Sequence, residues 1–265
     1  MDTAIVRKLG TLLEAGDLEI IRRLGYHGLG PIAWDAVTWQ HLTQRLLPLL
    51  DEYRLKLFAV YSKAQVSRTE FSIDPGLLPN LHLLKGRGTQ IWLPVAGKDL
   101  SPSDRSADTL AIAAVQKVAD EAKPFGLKVS LYPHFGNLME RVSDAVRIAR
   151  MSARENVGVT FNLCHWLRTQ APDSLDRVLE EAAPFLSMVT INGADRDGKT
   201  WRDLIQPLDA GTYDVRLLLR ALKRIGYRGP VGLQGFDVAR QFEIDPQVNL
   251  ERSMAAWNRI RRELQ

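Results

Sequence analysis

Four apolar runs in the second half of the chain alternate with period two. Each ends in an uncharged polar residue on the side opposite its bulkiest side chains. In Val157-Gly-Val-Thr-Phe-Asn162, Val157, Val159 and Phe161 share one face, and Gly158, Thr160 and Asn162 share the other. Ser187-Met-Val-Thr-Ile-Asn192 repeats this, with Val189 and Ile191 opposite Met188, Thr190 and Asn192. Val231 and Leu233 lie opposite Gly232 and Gln234, and Val129 and Leu131 lie opposite Ser130, Tyr132 and His134. Successive side chains of a strand point to opposite faces. A parallel barrel sets large apolar residues against an outer layer of helices and turns smaller or functional ones inward, with catalytic groups at the C-terminal strand ends. Tyr132, Asn162, Asn192 and Gln234 are therefore expected to ring the mouth of such a barrel.

Strand-like and helix-like segments alternate along the rest of the chain, the pattern of parallel βαβ units. Strands are expected over 25–34, 55–61 and 90–95, then from about 128, 156, 187 and 229. Helices are expected over 36–53 and 101–125, the second closed by Gly126. Apolar stripes follow at Leu138, Val142, Ala145, Val146 and Ala149, at Leu175, Val178, Leu179 and Ala182, and at Val215, Leu218, Leu219, Leu222 and Ile225. Leu250, Met254 and Trp257 mark a closing helix. Between Pro75 and Gly86 the pattern loosens. Seven strands are clear, and an eighth must come first. Ala4 to Val6 is the only candidate, so the expected fold is an α/β parallel (β/α)8 barrel whose strand one is short or irregular.

The 265 residues suit one large domain spanning 1–265, with 45% apolar and 25% charged residues, as in an ordinary soluble protein. The 35 basic and 31 acidic side chains leave a net charge of +4 without any block of one sign. That describes a solvated surface rather than a nucleic-acid footprint. Cys164 is the only cysteine, so no internal disulfide is possible. The N-terminus lacks the apolar core of a signal peptide, and no run reaches membrane-spanning length. A soluble, cytoplasmic protein is expected, unless the sequence is a trimmed form of an exported one.

Four blocks, Leu131-Tyr-Pro-His134, Phe161-Asn-Leu-Cys-His165, Ile191-Asn-Gly-Ala-Asp195 and Gly229-Pro-Val-Gly-Leu-Gln-Gly235, resemble the strand ends of the xylose isomerase-like TIM barrels. That superfamily holds sugar phosphate isomerases and epimerases, inositol-pathway enzymes and apurinic endonucleases. The resemblance runs from about Gly25 to the C-terminus. In members of the epimerase type, strands five to eight supply Glu, Asp, His and Glu to one divalent metal. Carried over by position, these become Tyr132, Asn162, Asn192 and Gln234. All four ligands are replaced. The His that follows the Asp by three residues, which usually contacts substrate or a further metal, is matched by His165.

A Mg²⁺ or Mn²⁺ site needs anionic oxygen to offset the loss of hydration water, and three amides and a phenol do not supply it. The expectation is a mouth without the usual metal. A displaced zinc site at His134, His165 and Asp195 is the minor alternative; in the plainer reading, the histidines bond the rim and Asp195 caps a helix. Without metal, His134 or His165 serves as the base, and Asn162, Asn192, Gln234 and Tyr132 donate hydrogen bonds to the developing oxyanion. The same ring equally suits a purely structural polar core. Trp34, Tyr61, Trp92, Phe135, Trp166 and Phe236 fall at or just after strand ends, where aromatic faces pack against sugar C–H groups or simply seal the core. Of these the sequence favours Tyr61 and Trp92 as the inward pair, and Lys63, two residues beyond Tyr61, shares its face and suits either a phosphate or carboxylate contact or a solvated loop.

Gly193-Ala-Asp-Arg-Asp-Gly-Lys199-Thr200 fits a phosphate-loop pattern, but Asp195 and Asp197 would repel a triphosphate, so it reads as the loop after strand seven. The glycines from Gly25 to Gly30 lack the order of a dinucleotide site. His27, His41 and His82 lie away from the mouth. Cys164 points to the helix side and reads as an inert thiol.

The expected function is isomerisation, epimerisation or elimination on a sugar or keto-sugar by proton abstraction next to a carbonyl, with a small-molecule sugar as partner and no nucleic acid or membrane. A homo-oligomer stays open. The alternative is a carbohydrate-binding or regulatory barrel that has lost catalysis. Cleavage of abasic DNA is disfavoured, because it needs a metal cluster that these strand ends do not assemble.

Overall fold

The computed structural model describes Asp2–Ala4 and residues 13–264. Among these, the strands in chain order are β1 (Asp2–Ala4), β2 (Gly28–Leu29), β3 (Lys56–Leu57), β4 (Ala59–Tyr61), β5 (Ala64–Val66) and β6 (Phe71–Ile73), then β7 (Gln90–Leu93), β8 (Val95–Gly97), β9 (Lys128–Leu131), β10 (Val157–Asn162), β11 (Leu186–Ile191) and β12 (Val231–Gln234). The parallel order β3-β2-β1-β12-β11-β10-β9-β7-β4 places β3 and β4 at its two ends. They are consecutive pieces of one stave, joined through Phe58. Its N–H donates to the Leu29 carbonyl at 2.9 Å on one side, and its carbonyl accepts from the Gln90 N–H at 2.9 Å on the other. The sheet therefore closes on itself as an eight-stave barrel, and the expected fold class holds.

The first stave is short, as expected. Asp2–Ala4 pairs with Gly232, Leu233 and Gln234 on one side and with Leu29 on the other. Ile5 and Val6, the rest of the expected strand, lie outside the described residues. The second stave is shorter than expected because Pro31 has no N–H for the ladder. Pairing resumes beyond it, at Ile32 opposite Tyr61.

Alternation sorts the side chains as the sequence indicates. Val129, Leu131, Val159, Phe161, Val189, Ile191 and Leu233 belong to the main core between barrel and helices. Ala59, Trp92, Tyr132 and Met188 form a separate cluster inside the barrel top. One irregularity stands out. Val159 pairs with Leu186 and Thr160 with Met188, so Ser187 is an extra residue in β11. Its hydroxyl joins Ser130 at 2.7 Å, and Ser130 joins Thr160 at 2.7 Å, in a buried polar layer below the aromatic one.

Two helices differ from expectation. The segment 36–53 is helical throughout but contains a π turn at Leu42–Leu46, just before Pro48. Proline lacks the N–H and crowds the carbonyl four residues back, and the wider turn relieves both. The helix expected from Ser101 starts only with Arg105–Ala107 and continues as Asp108–Ala122. Ser103 is held outside it, its hydroxyl donating to Asp144 at 2.6 Å. Arg147 then ties Asp108 (2.9 Å) to Asp144 (2.8 Å), locking this helix to Val142–Ser152. The loose stretch after Tyr61 holds a small sheet in the order β6-β5-β8, which the sequence pattern did not suggest. Among the described residues, no helix is long and apolar enough to cross a membrane.

Candidate active site

The C-terminal mouth of the barrel opens into a cavity of about 610 Å³. Its walls are aromatic: Trp34, Tyr61, Trp92, Tyr132, Trp201 and Phe236. Gly30 makes room for one of them, since a Cβ there would lie 3.0 Å from the Trp92 ring. Tyr61 meets Tyr132 edge to face at 5.2 Å, and Trp92 lies 5.5 Å from the same ring.

Tyr132 sits at the floor with its hydroxyl in a fixed frame. Asn162 ends β10 and caps the helix Leu163–Thr169: its Oδ1 accepts from the His165 N–H at 3.3 Å and from Cys164 Sγ at 2.9 Å. Those donors set the amide's orientation, so Nδ2 donates to Tyr132 Oη. Gln234 Nε2 donates to the same oxygen at 3.1 Å, while Gln234 Oε1 is buried with no hydrogen-bond partner among the described residues. Tyr132 Oη thus accepts two hydrogen bonds, which leaves its own hydrogen uncommitted. Burial raises the phenol well above its usual range, the nearby Cys164 and Tyr61 adding to it. The group stays a protonated donor.

Above this floor the rings of His134 and His165 lie 4.1 Å apart, and both line the cavity. Phe135 sets their protons. Its carbonyl lies 2.8 Å from His134 Nδ1, and its N–H points at His165 Nδ1 at 3.3 Å. A carbonyl only accepts and an N–H only donates. His134 therefore carries its proton on Nδ1 and has a lone pair on Nε2. His165 has its lone pair on Nδ1 and its proton on Nε2. Burial lowers both pKa values, that of His165 well below the ordinary histidine range, with the charge of His134 as a second cause. Both rings are neutral near pH 7.

Of the residues singled out from the sequence, Tyr61, Trp92, Tyr132, His134, His165 and Gln234 line the cavity. Asn162 stands behind Tyr132 as its support. Asn192 is fully buried but turned away, donating to the carbonyls of Gly193 (2.7 Å) and Leu204 (2.6 Å). Asp195 accepts from the Thr212 N–H (3.1 Å) and from Gln206 Nε2 (3.0 Å) within its own loop. Lys63 lies over the Trp34 ring at 5.8 Å, outside the lining. Cys164 is buried, and its thiol is pushed up to about 12. His27, His41 and His82 do not line the cavity.

Sequence reasoning missed Thr200, Trp201 and Arg202 after β11, and Asp237, Arg240 and Gln241 after β12. One signal was available. Thr200 and Asp203 form a capping box, readable as Thr-x-x-Asp, which starts the helix Trp201–Leu204 at the rim.

The four positions that metal ligands would occupy do not suit a divalent cation. They carry no carboxylate, Asn192 faces the loop backbone, and the amide hydrogens of Asn162 and Gln234 point at the Tyr132 oxygen where a cation would need lone pairs. Among the described residues, no group of three or more His, Cys, Asp or Glu side chains is placed to hold a metal ion. His134, His165 and Asp195 do not converge.

Solved structures share this architecture. A 3-keto-D-glucoside 4-epimerase from E. coli superposes with a TM-score of 0.74 at 17% identity, over 98% of this chain and 99% of the other. A D-allulose 3-epimerase from Methylomonas sp. gives 0.70 at 18% identity, over 93% and 91%. The probable 3-DHS dehydratase involved in petrobactin synthesis from Bacillus anthracis gives 0.69 at 12% identity, over 94% and 95%. At these identities the likeness is one of fold. No protein of curated function matches the chain. The family model described as xylose isomerase-like TIM barrel matches residues 18–260, and the chain belongs to that family.

Proposed function

We propose that this barrel is an enzyme acting on a sugar or keto-sugar by proton abstraction next to a carbonyl, as an isomerase, an epimerase or an eliminating lyase, without the divalent metal that the family resemblance implies. The observation that carries this reading is the stacked pair of His134 and His165, whose Nδ1 atoms meet the carbonyl and the N–H of Phe135, above the Tyr132 hydroxyl. Proton abstraction needs a base and a holder for the enolate oxygen. His134 Nε2 has the lone pair to take the proton. His165 Nε2–H and Tyr132 O–H are donors suited to the oxygen. As the proton leaves, the C–H electron pair becomes the carbon–carbon double bond and the carbonyl π pair moves onto its oxygen. Return of a proton to the opposite face gives an epimer, return at the former carbonyl carbon with the α-hydroxyl proton passing to the enolate oxygen gives an isomer, and loss of a leaving group from the β carbon gives a lyase product. Aromatic walls suit the C–H faces of a sugar.

Proton exchange tests this directly. Candidate sugars and keto-sugars are incubated with the protein in deuterated buffer containing a chelator, and α-deuterium is read by NMR. The reading expects label in at least one of them, lost in His134→Ala. A sugar that binds but never gains deuterium would instead favour the carbohydrate-binding barrel. Label that appears only after metal is added would reject the metal-free mechanism.

A further inference from the structure

His134 opens a tight turn whose geometry decides where the Phe135 carbonyl points. The Asn137 N–H donates to the His134 carbonyl at 3.0 Å, and Gly136, third residue of the turn, has φ 81°. Phe135, the second, is not among the residues of positive φ, so the turn is of type II. Types I and II differ by turning over the peptide between the two central residues. Here that peptide joins Phe135 to Gly136, and its carbonyl is the one that lies 2.8 Å from His134 Nδ1. Turned over, it would leave the imidazole.

The surroundings of this peptide are pinned. The His134 N–H donates to the Met139 carbonyl at 2.9 Å, and the Phe135 N–H, which belongs to the preceding peptide, is held by His165 at 3.3 Å. The Phe135 ring meets Trp201 edge to face at 5.8 Å and lies under the Arg168 guanidinium at 4.8 Å. The Phe135–Gly136 peptide itself is held at each end by a side chain. Its carbonyl faces His134, and its N–H donates to Glu140 Oε1 at 3.0 Å. Both residues are exposed at the rim, where water competes for the same groups. Glu140 is half-buried and forms no ion pair among the described residues, so its charge is directed at that one N–H.

We propose that Glu140 is a positioning residue for His134: it holds the Phe135–Gly136 peptide with the carbonyl on Nδ1, and so keeps the lone pair of the ring on Nε2. This rests on the proton-abstraction reading for its catalytic consequence but not for the arrangement itself. Imidazole, peptide and carboxylate form a chain of hydrogen bonds that all run one way, in which each bond polarises the next. The bond to the carboxylate is charge-assisted, which makes it the stronger kind. When Nε2 takes the substrate proton the ring becomes a cation, and the negative charge behind the peptide stabilises it. His165 takes no part, because its bond is to the peptide on the other side of Phe135.

Long-range proton–nitrogen spectra show which nitrogen of each imidazole bears the proton, and they need no substrate. In Glu140→Ala the form of His134 protonated on Nδ1 should lose its dominance, and the Gly136 amide should exchange with solvent about tenfold faster or more. His165 is the internal control and should keep its proton on Nε2. Glu140→Gln retains an acceptor oxygen and should restore the His134 tautomer. It should still transfer deuterium more slowly than the native chain to any sugar that the native chain labels, because the charge is gone. An unchanged His134 in Glu140→Ala, an unchanged Gly136 amide, or equal changes at both histidines each overturns the proposal. Native-rate labelling by Glu140→Ala would overturn its catalytic consequence. A native chain that labels no sugar would retire the enzyme reading, and the arrangement would then stand or fall on the ring spectra alone.

Discussion

The imidazoles of His134 and His165 stack 4.1 Å apart, and a single backbone residue, Phe135, bonds both with opposite polarity. Two side chains of one type are thereby made chemically unlike. His134 is left with a lone pair on Nε2, and His165 with a proton there. Neither state needs a neighbouring carboxylate, since the carbonyl and the N–H of Phe135 suffice to set them.

The pair should leave a mark on stability against pH. Burial keeps both rings neutral in the folded chain. As pH falls through about 6.5, the unfolded chain takes up protons that the folded chain refuses, so stability decreases until the lower folded values are reached. Above that window neither state is protonated and the pair adds no slope. Each ring contributes at most about 1.4 kcal/mol per pH unit. We expect Tm to fall more steeply below about pH 6.5 in the native chain than in a His134→Gln, His165→Gln double variant. Parallel curves would mean that the rings protonate freely.

Tyr132→Phe separates support from chemistry. Removing the hydroxyl leaves Asn162 Nδ2 and Gln234 Nε2 without their acceptor inside the barrel. An unsatisfied buried group costs about 1–3 kcal/mol, and Gln234 has the freedom to turn, so a loss near the low end is expected in urea unfolding. If the hydroxyl holds the enolate oxygen, deuterium exchange should slow by about a hundredfold in the same variant. A normal exchange rate with reduced stability would assign Tyr132 to the core alone.

Much of this arrangement was legible because a strand has a rigid period. Once Val159 and Phe161 face the helices, Thr160 and Asn162 must face inward, and the same logic placed Tyr132 and Gln234. Asn192 obeyed the alternation too, but its amide was captured by the Leu204 carbonyl, a contact made by a loop that returns from 12 residues away. Loops carry no period, so Trp201, Arg202 and Arg240 could not be placed from spacing. Lys63 shares the sequence side of Tyr61, yet the chain turns into the small sheet there and lays the lysine over Trp34. The tautomers were out of reach for another reason: a backbone residue sets them, and Phe135 looks from its side chain like a rim aromatic.

The loop after β11 depends on Gly193. Its N–H donates to the Gln206 carbonyl at 3.1 Å, and its carbonyl accepts from the Gln206 N–H at 2.8 Å, closing the loop that presents Thr200, Trp201 and Arg202. A Cβ at this position would lie 2.0 Å from the Pro207 carbonyl oxygen, so backbone has to move. Gly193→Ala should cost about 2 kcal/mol or more and raise hydrogen exchange at the Gln206 and Asp195 amides ahead of the barrel strands. Uniform protection in the variant would show that the bridge is not what holds the loop.

Metal dependence offers the sharpest contrast, because two substitutions should create what the native chain lacks. In the native site, hydrogens from Asn162 and Gln234 converge on Tyr132 Oη, and a cation placed among them would meet donors rather than lone pairs. Protein stripped with a chelator should therefore keep its Tm, and added Mg²⁺ or Mn²⁺ should not raise it. Asn162→Asp with Gln234→Glu puts two carboxylates beside the phenol, enough for a hard cation that keeps several of its waters. Without metal this variant should be less stable than the native chain, since two like charges share a buried site. With Mn²⁺ at about a hundredfold excess over its dissociation constant, it should recover by about 2.7 kcal/mol. A native chain that gains stability from Mn²⁺ to the same extent would mean that the amides and phenol rearrange to hold the ion, and that the chemistry at this mouth follows the metal after all.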